Sequence, residues 1–323
     1  MQKISICVTY YNQENFVKDS LNSILSIDFP CDYEVLVGND GSTDNTGLLV
    51  DEFVRKYPDK IKHYIWDRKA KTKSINRASM NRLNLAEKAT GNYLIFMDGD
   101  DYFCDKEFIK KALLIFHEYP GVQMCAFNFK FVFKDKSEKI FSQSMSEGIV
   151  PSRKYIAKSF YTPAPCCVFK NIFNKTNIQM LKSVNNFDDN AITIFMLQYG
   201  DLYYIDNIIY AYNQNEDSLW NRASQFEKYL IESFDYNLIL KTAPKFKSQL
   251  AKRFYQDIKY LFKNRNKIYL AKDKFDIYLK KADSNGDSLI YGLLNWSSSS
   301  IFKKILTFFL YLKYKLLAKS SNY

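Results

Sequence analysis

The sequence predicts an α/β protein with an open, mostly parallel, twisted sheet flanked by helices, followed by a helical, basic C-terminal extension. Three observations carry this. Short apolar runs alternate with helix-periodic segments through the first third of the chain. Two of those runs end in polar, acid-bearing turns, Asn39-Asp40-Gly41 and Asp98-Gly99-Asp100-Asp101. The charge is divided along the chain. From Lys241 to Tyr323 there are 18 Lys and Arg against 5 Asp, a balance of +13, whereas residues 1 to 240 balance at −2.

Residues 3 to 10 read as a first buried strand. The run is too short for a signal peptide, and Tyr10-Tyr11-Asn12-Gln13-Glu14 cuts it off. Asn15 to Ser26 reads as a helix with Phe16, Leu21, Ile24 and Leu25 as its apolar positions. Tyr33 to Val37 forms a second strand that runs into Gly38-Asn39-Asp40-Gly41-Ser42-Thr43-Asp44-Asn45-Thr46. A helix from Thr46 to Tyr57, Pro58 and a short strand near Lys62 to Ile65 follow. Arg68 to Asn81 is basic and polar. Leu83 to Ala89 reads as a helix ending at Gly91, and Tyr93 to Met97 as the next buried strand. Val122 to Phe133 is strand-like, with turn signals and charge at Lys134 to Lys139. Residues 151 to 220 mix helix and strand. From about Asn221 to Lys281 the pattern is helical, basic and aromatic. Asp283 to Asp287 and the serines at 297–300 break it before a last segment, Ile301 to Lys319.

Composition narrows the classes. A hydrophobic fraction of 47%, with 26 Phe and 25 Tyr, supplies an ample core and argues against disorder. No apolar stretch is long enough to span a bilayer. The six cysteines form no C-x-x-C pair, and there are only two histidines, which argues against a zinc site and for reduced thiols in a cytosolic protein. The adjacent Cys166 and Cys167 read as small packed residues.

The end of the Tyr93–Met97 run is the most informative position. Asp98, Asp100 and Asp101 place three carboxylates within four residues, with Asp105 close behind. Such charges repel one another, and a divalent cation relieves the repulsion; oxygen ligands suit Mg²⁺ or Mn²⁺. The competing reading is an acidic loop that caps the helix starting near Asp105. In an open α/β sheet, ligands sit beyond the carboxyl ends of the strands. Asp40 and Asp98 both fall at such ends, so one crevice can hold both.

Three blocks, Ile4-Ser5-Ile6-Cys7-Val8-Thr9-Tyr10-Tyr11-Asn12, Asn39-Asp40-Gly41-Ser42-Thr43-Asp44-Asn45-Thr46, and Ala89-Thr90-Gly91-Asn92-Tyr93 leading into Asp98-Gly99-Asp100-Asp101, resemble family 2 glycosyltransferases of the GT-A fold in order and spacing. The resemblance covers about residues 1 to 215. It implies a GT-A catalytic domain over 1–220, with a nucleotide-sugar half at 1–105 and an acceptor half at 106–220, and a separate helical region over 221–323.

The resemblance also implies roles. Thr9 and Tyr11 line the nucleotide pocket, Asp40 accepts a hydrogen bond from the base, and Asp98 binds the ribose hydroxyls. Asp100 completes a D-x-D motif and holds Mg²⁺ or Mn²⁺ on the diphosphate. Asp40 also reads as a turn residue, and Asp44 as a helix N-cap. Asp101 and Asp105 are support. Lys71, Lys73, Arg77 and Arg82 lie where the family often carries an Arg-Asn pair. Arg77 is assigned to the donor, and a solvated basic loop is the other reading. An inverting transfer needs a base for the acceptor hydroxyl. Asp188-Asp189, about 90 residues after the D-x-D motif, stand where relatives carry an acidic pair, with Asp189 as base and helix capping as the alternative. Lys170 to Lys175 resembles the segment that shapes the acceptor side. Asn215 stands where some relatives place a histidine near the metal, and Asp217 to Trp220 read as a lid or a surface loop.

The function that the resemblance implies is an inverting, metal-dependent transfer of a sugar from a nucleotide-sugar, a UDP-sugar, to a hydroxyl of a glycan or lipid-linked saccharide in surface polysaccharide synthesis. The alternative is a non-catalytic nucleotide-sugar-binding or scaffold protein. Residues 301–319 read as a cationic amphipathic helix with Ile301, Ile305, Phe308, Leu312 and Leu316 on one face. Such a helix suits an anionic membrane surface, so the expected location is cytoplasmic and peripheral on the inner face of the plasma membrane. Packing on the catalytic domain or on a second subunit is the other reading. No nucleic-acid motif accompanies the charge, and no nucleic-acid partner is expected.

Overall fold

In the computed structural model, which describes residues 2–67, 74–184, 187–214, 223–264, 289 and 301–319, the apolar runs become strands that are covered on both faces. The chain divides into two units, Met1–Ser152 with Phe160–Asn215, and Arg153–Ser159 with Glu216–Tyr323.

The first unit opens with β1 (Lys3–Tyr10), α1 (Val17–Leu25), β2 (Asp32–Asn39), α2 (Thr46–Lys56), β3 (Ile61–Ile65), α3 (Ser74–Lys88) and β4 (Tyr93–Asp98). It continues with β5 (Tyr102–Phe103), α4 (Phe108–Glu118), β6 (Val122–Val132), β7 (Glu138–Ile140) and β8 (Gly148–Val150). After α5 (Ser152–Ala157) come β9 (Cys167–Lys170), α6 (Lys175–Val184), α7 (Asp189–Met196) and β10 (Asp201–Asn213). The sheet order is β3-β2-β1-β4-β9-β6-β10-β5, with β7 on β6 and β8 on β10. β3, β2, β1 and β4 are parallel. β9 is antiparallel to both β4 and β6, so β6 and β10 run in the same direction as β4. The sheet is therefore mostly parallel, in agreement with the expected class.

Strand order reverses at β1. The chain steps outward through β2 and β3, then returns to lay β4 on the other side of β1. Such a switch point is where open α/β sheets bind ligands. The register sets the residues there, pairing Thr9 with Asp98 across β1 and β4 and Tyr10 with Asn39 across β1 and β2.

Side chains alternate across β4. Ile95 and Met97 join a core with Ile6, Val8, Val35 and Val37 under α1 and α4. On the other face Phe96 meets the rings of Phe169, Phe173 and Phe187. Burial on both faces explains why these strands read as continuous apolar runs rather than alternating ones.

One expected boundary shifts. The helix read from Leu83 begins at Ser74, more than two turns earlier. Its added segment buries polar side chains, Arg77, Ser79 and Asn81. An apolar period cannot reveal a helix whose inner face is built from hydrogen bonds.

The second unit contains α8 (Gln225–Thr242), α9 (Lys247–Lys263) and α10 (Ile301–Lys319). α8 starts with a reciprocal capping box between Ser224 and Glu227. α10 packs on α9: Tyr314 meets Phe254, and Tyr311 meets Tyr255 and Phe262. Thr307 is buried, while Leu316 is 67% exposed. Phe308 of the stripe read from the sequence also meets Phe262, and the packed side includes Tyr311. Among the described residues no helix is long and apolar enough to cross a membrane.

Candidate active site

The loops after β1 and β2 are laced together by the polar residues of their sequence blocks. The Asn12 amide donates to Ser42 Oγ at 3.0 Å, and the Thr43 amide to Asn12 Oδ1 at 2.8 Å. The Gln13 amide donates to Thr46 Oγ1 at 2.8 Å, and the Glu14 amide to Asp44 Oδ2 at 3.1 Å. Asp44 also accepts from the Thr46 amide at 3.0 Å. The residue at the N-cap of α2 is Asn45, whose side chain makes no capping bond. Asp44 therefore does the capping from one residue earlier than expected, because its carboxylate must also reach the loop after β1. Much of the Asn39–Thr46 block is scaffold.

Asp40 projects from the end of β2 and is gripped by Arg77 of α3. Nε donates to Oδ2 at 2.7 Å and Nη2 to Oδ1 at 2.6 Å. This bidentate fork fixes the carboxylate plane. Each oxygen keeps lone pairs for a further donor. One turn along α3, Asn81 Nδ2 donates to the Gly38 carbonyl at 2.8 Å and its Oδ1 accepts from Trp66 Nε1 at 2.6 Å. A Cβ on Gly38 would lie 2.0 Å from that Asn81 oxygen, so the clamp requires glycine. Trp66 in turn stacks on Tyr64.

At the end of β4, Asp98 Oδ1 accepts from Thr9 Oγ1 at 3.1 Å and from Arg82 Nη2 at 2.6 Å. Gly99 turns tightly against β1: a Cβ there would lie 2.2 Å from the Tyr10 ring. Tyr11 follows at the rim and is exposed. The Asp100 carboxyl is pushed up to about 6, first by burial and then by the neighbouring Asp98, while Gln13 hydrogen-bonds to it and Arg82 draws it down. Asp101 points the other way. It accepts from Tyr210 Oη at 2.9 Å and from the Asn213 amide at 2.7 Å, which anchors the turn to β10. Asn213 also bonds the Asp100 carbonyl through its side chain. Asp105 accepts from the Glu107 amide and from Asn207. The four aspartates thus separate, with Asp98 and Asp100 in the crevice and Asp101 and Asp105 in the framework.

Asp188 and Asp189 come to this crevice from the opposite direction in the chain. Phe187, fully buried on Phe96 and Phe173, seats the segment, and its amide donates to Ser79 Oγ at 3.0 Å. Asp188 is the N-cap of α7, accepting from the Ala191 amide at 2.8 Å. Asp189 is the first helical residue. Its Oδ2 accepts from Tyr161 Oη at 3.3 Å, its Oδ1 is buried, and the Ala164 amide hydrogen-bonds to the carboxyl. Burial pushes the Asp189 carboxyl up to about 6; Arg82 opposes this, and Asp98 and Asp188 add to it.

The sequence-derived residues Thr9, Asp98, Asp100 and Asp189 are brought together, with Arg82 between them. Asp40 and Arg77 form a separate pair at the end of β2. Sequence reasoning gave no role to Gln13, Tyr161, Tyr210 or Asn213, and no firm one to Arg82. An arginine five residues after Arg77 was the available signal for Arg82. Asn213 meets the acidic turn; the residues Lys71, Lys73, Asn186, Asn215 and Asp217–Trp220 named from the sequence lie outside the described residues. Among the described residues no group of three or more His, Cys, Asp or Glu side chains forms a metal cage.

A family model described as Glycosyl transferase family 2 matches residues 5–179. The poly(ribitol-phosphate) beta-N-acetylglucosaminyltransferase TarS of Staphylococcus aureus (strain Mu50 / ATCC 700699) is 26% identical over 200 residues, which is 60% of this chain and 32% of that protein. The poly-beta-1,6-N-acetyl-D-glucosamine synthase of Staphylococcus epidermidis is 32% identical over 106 residues, 32% of this chain and 23% of that protein. The chain therefore matches about a third or less of the length of these relatives. The crystal structure of S. aureus TarS 1-349 in complex with UDP superposes with a TM-score of 0.60 at 18% identity, covering 99% of this chain and 91% of that one. At that identity the likeness is one of fold.

Proposed function

The chain belongs to glycosyl transferase family 2, and from that premise we propose that it moves a sugar from a UDP-sugar to a hydroxyl of a glycan or lipid-linked saccharide in surface polysaccharide synthesis, by a single inverting displacement. The observation that carries this is Asp189: a buried carboxylate with few hydrogen-bond donors, set beside Asp98 and Asp188 at the switch point. A base needs a proton affinity poised near working pH, and a carboxyl at about 6 meets that need. TarS supports the choice of donor, since its 1-349 fragment is described in complex with UDP and with UDP-GlcNAc.

Asp40, in its Arg77 fork, accepts from the base; Thr9 and Tyr11 line the pocket; Asp98 takes the ribose. Asp188 keeps the base-bearing helix in place through its cap.

The residues fit a divalent cation in one form, a site completed by the substrate. Asp100 is an oxygen donor whose charge is poorly compensated, and Mg²⁺ is commonly held by one or two carboxylates plus substrate phosphates. Asp100 would hold Mg²⁺ or Mn²⁺ there, and the bound cation would stabilise the charge that gathers on the departing diphosphate. The basic C-terminal quarter, with Lys303, Lys313 and Leu316 exposed on α10, supports association with an anionic membrane surface on the cytoplasmic side.

The experiment is turnover of UDP-GlcNAc with and without Mn²⁺, in wild type, Asp100→Ala and Asp189→Asn. Wild type is expected to release UDP only with metal, and both variants are expected to be impaired. A wild type that neither binds UDP nor turns over a UDP-sugar with metal present would sink the reading.

A further inference from the structure

Arg82 touches both halves of the site. One nitrogen of its guanidinium donates to Asp98 at 2.6 Å, and the other approaches the Phe187 carbonyl at 3.5 Å, one residue before Asp188 and two before Asp189. Ser79, three residues earlier on α3, holds the Phe187 amide, so one helix face fixes both polar atoms of that peptide residue. The side chain of Arg82 is 12% exposed and that of Asp98 31%, so this ion pair is screened less than a surface pair. We propose that Arg82 is a positioning residue that locks the donor-side carboxylate Asp98 to the segment delivering Asp189, and supplies the positive charge that keeps Asp189 ready to accept a proton. The inference rests on the reading of Asp189 as base.

A planar fork can hold a carboxylate and a carbonyl at once, whereas a lysine is a point charge. Among the described residues, the groups that face Asp189 are Arg82, Asp98, Asp188, Tyr212, the Tyr161 hydroxyl, the Ala164 amide and the buried thiols of Cys166 and Cys167. Arg82 is the cation among them. Without it, three carboxylates face one another across the crevice, and the proton that Asp189 must release is held more tightly.

The test compares Arg82→Gln, Arg82→Lys and wild type in UDP-GlcNAc turnover with Mn²⁺ across pH. In Arg82→Gln the rising limb of kcat/KM is expected to move up by about one pH unit. In Arg82→Lys the limb is expected to stay near the wild-type position, with kcat reduced roughly tenfold by loss of the fork. A limb that does not move in Arg82→Gln overturns the electrostatic half of the proposal, and wild-type kcat in Arg82→Lys overturns the positioning half. If Arg82→Gln fails to fold, Arg82→Met carries the same pH test and Arg82→Lys still decides the positioning half. The lock is also readable without turnover. Melting temperatures of Arg82→Lys, Asp98→Asn and the double variant should be non-additive, and strict additivity removes the lock. Absence of turnover in wild type defeats the functional reading, and the melting cycle then still decides whether the lock exists.

Discussion

The two ends of the same four parallel strands treat their carboxylates in opposite ways. At the amino end of the sheet, Glu34 of β2 is buried but richly supplied. It accepts from Ser5 Oγ at 2.7 Å and from the Thr90 amide and hydroxyl at 2.8 and 2.7 Å, and pairs with Lys3 and Lys62 at 3.2 and 3.3 Å. Burial raises its proton affinity, but those hydrogen bonds outweigh burial and bring it down to about 2. At the carboxyl end, Asp100 and Asp189 have fewer donors and a neighbouring carboxylate each, and both are driven up to about 6. Burial alone therefore does not decide the role. A carboxylate whose lone pairs are filled by the protein is part of the framework, and one left short is free to engage something that arrives.

The largest break in this contrast should come from Asp189→Asn, which keeps shape and removes the proposed base. Steady-state transfer is expected to fall by roughly two to four orders of magnitude while UDP binding, measured by calorimetry, is retained. Full transfer by this variant would show that the proton leaves by another route. Next, Asp100→Ala should lower turnover by about two to three orders of magnitude and abolish its response to Mn²⁺ titration.

Stability should sharpen the contrast with the opposite sign at the two ends. Glu34→Gln is expected to cost about 1–2 kcal/mol after allowance for screening, a fall of several degrees in Tm with little change in kcat. Asp100→Asn should instead raise the Tm of the unliganded protein by about a few degrees, because it removes a charge the fold accommodates poorly. Equal losses at both sites would erase the distinction.

The pH dependence follows the same division, with smaller effects. Glu34 has a depressed folded value, so its contribution to stability is complete above about 4.5 and is lost as pH falls towards about 2. Asp100 and Asp189 have raised folded values. Their contribution is complete below about 3.8 and is lost as pH rises through about 6. Activity should rise through that same region, since the proposed base and the proposed metal ligand must both be ionised. Thermal melts over about pH 2 to 8 check both signs of stability, and kcat/KM profiles over about pH 4 to 8 check the rise in activity. The smallest change is expected from Tyr161→Phe, which removes one long hydrogen bond to Asp189 at 3.3 Å and should lower kcat by less than about tenfold.

Most of the parallel half of the sheet was legible in the chain itself. β1, β2, β3 and β4 are apolar runs closed by turn residues, and pattern alone locates them. Asp98 and Asp100 stood out because clustered acids at a strand end are costly unless something uses them, and Asp189 stood out through the family resemblance. The first two turns of α3 were not legible, because their buried side chains are Arg77, Ser79 and Asn81 and give no apolar period. Asn213 and Tyr210 were not legible either. They sit at the end of a long strand and reach Asp100 and Asp101 across more than 100 residues of sequence.

The sequence by itself determined the fold class, the strand ends that carry acids, and the family those ends resemble. These follow from local chemistry: hydrophobic period, turn residues and the cost of unpaired charge. Tertiary structure alone decided how the aspartates divide their work. Asp101 turns to Tyr210, Asp98 is held by Arg82, and Asp189 is seated by Phe187 on Phe96. The proton affinity of a carboxylate depends on which donors and charges stand within a few ångströms, and only the folded chain brings those together.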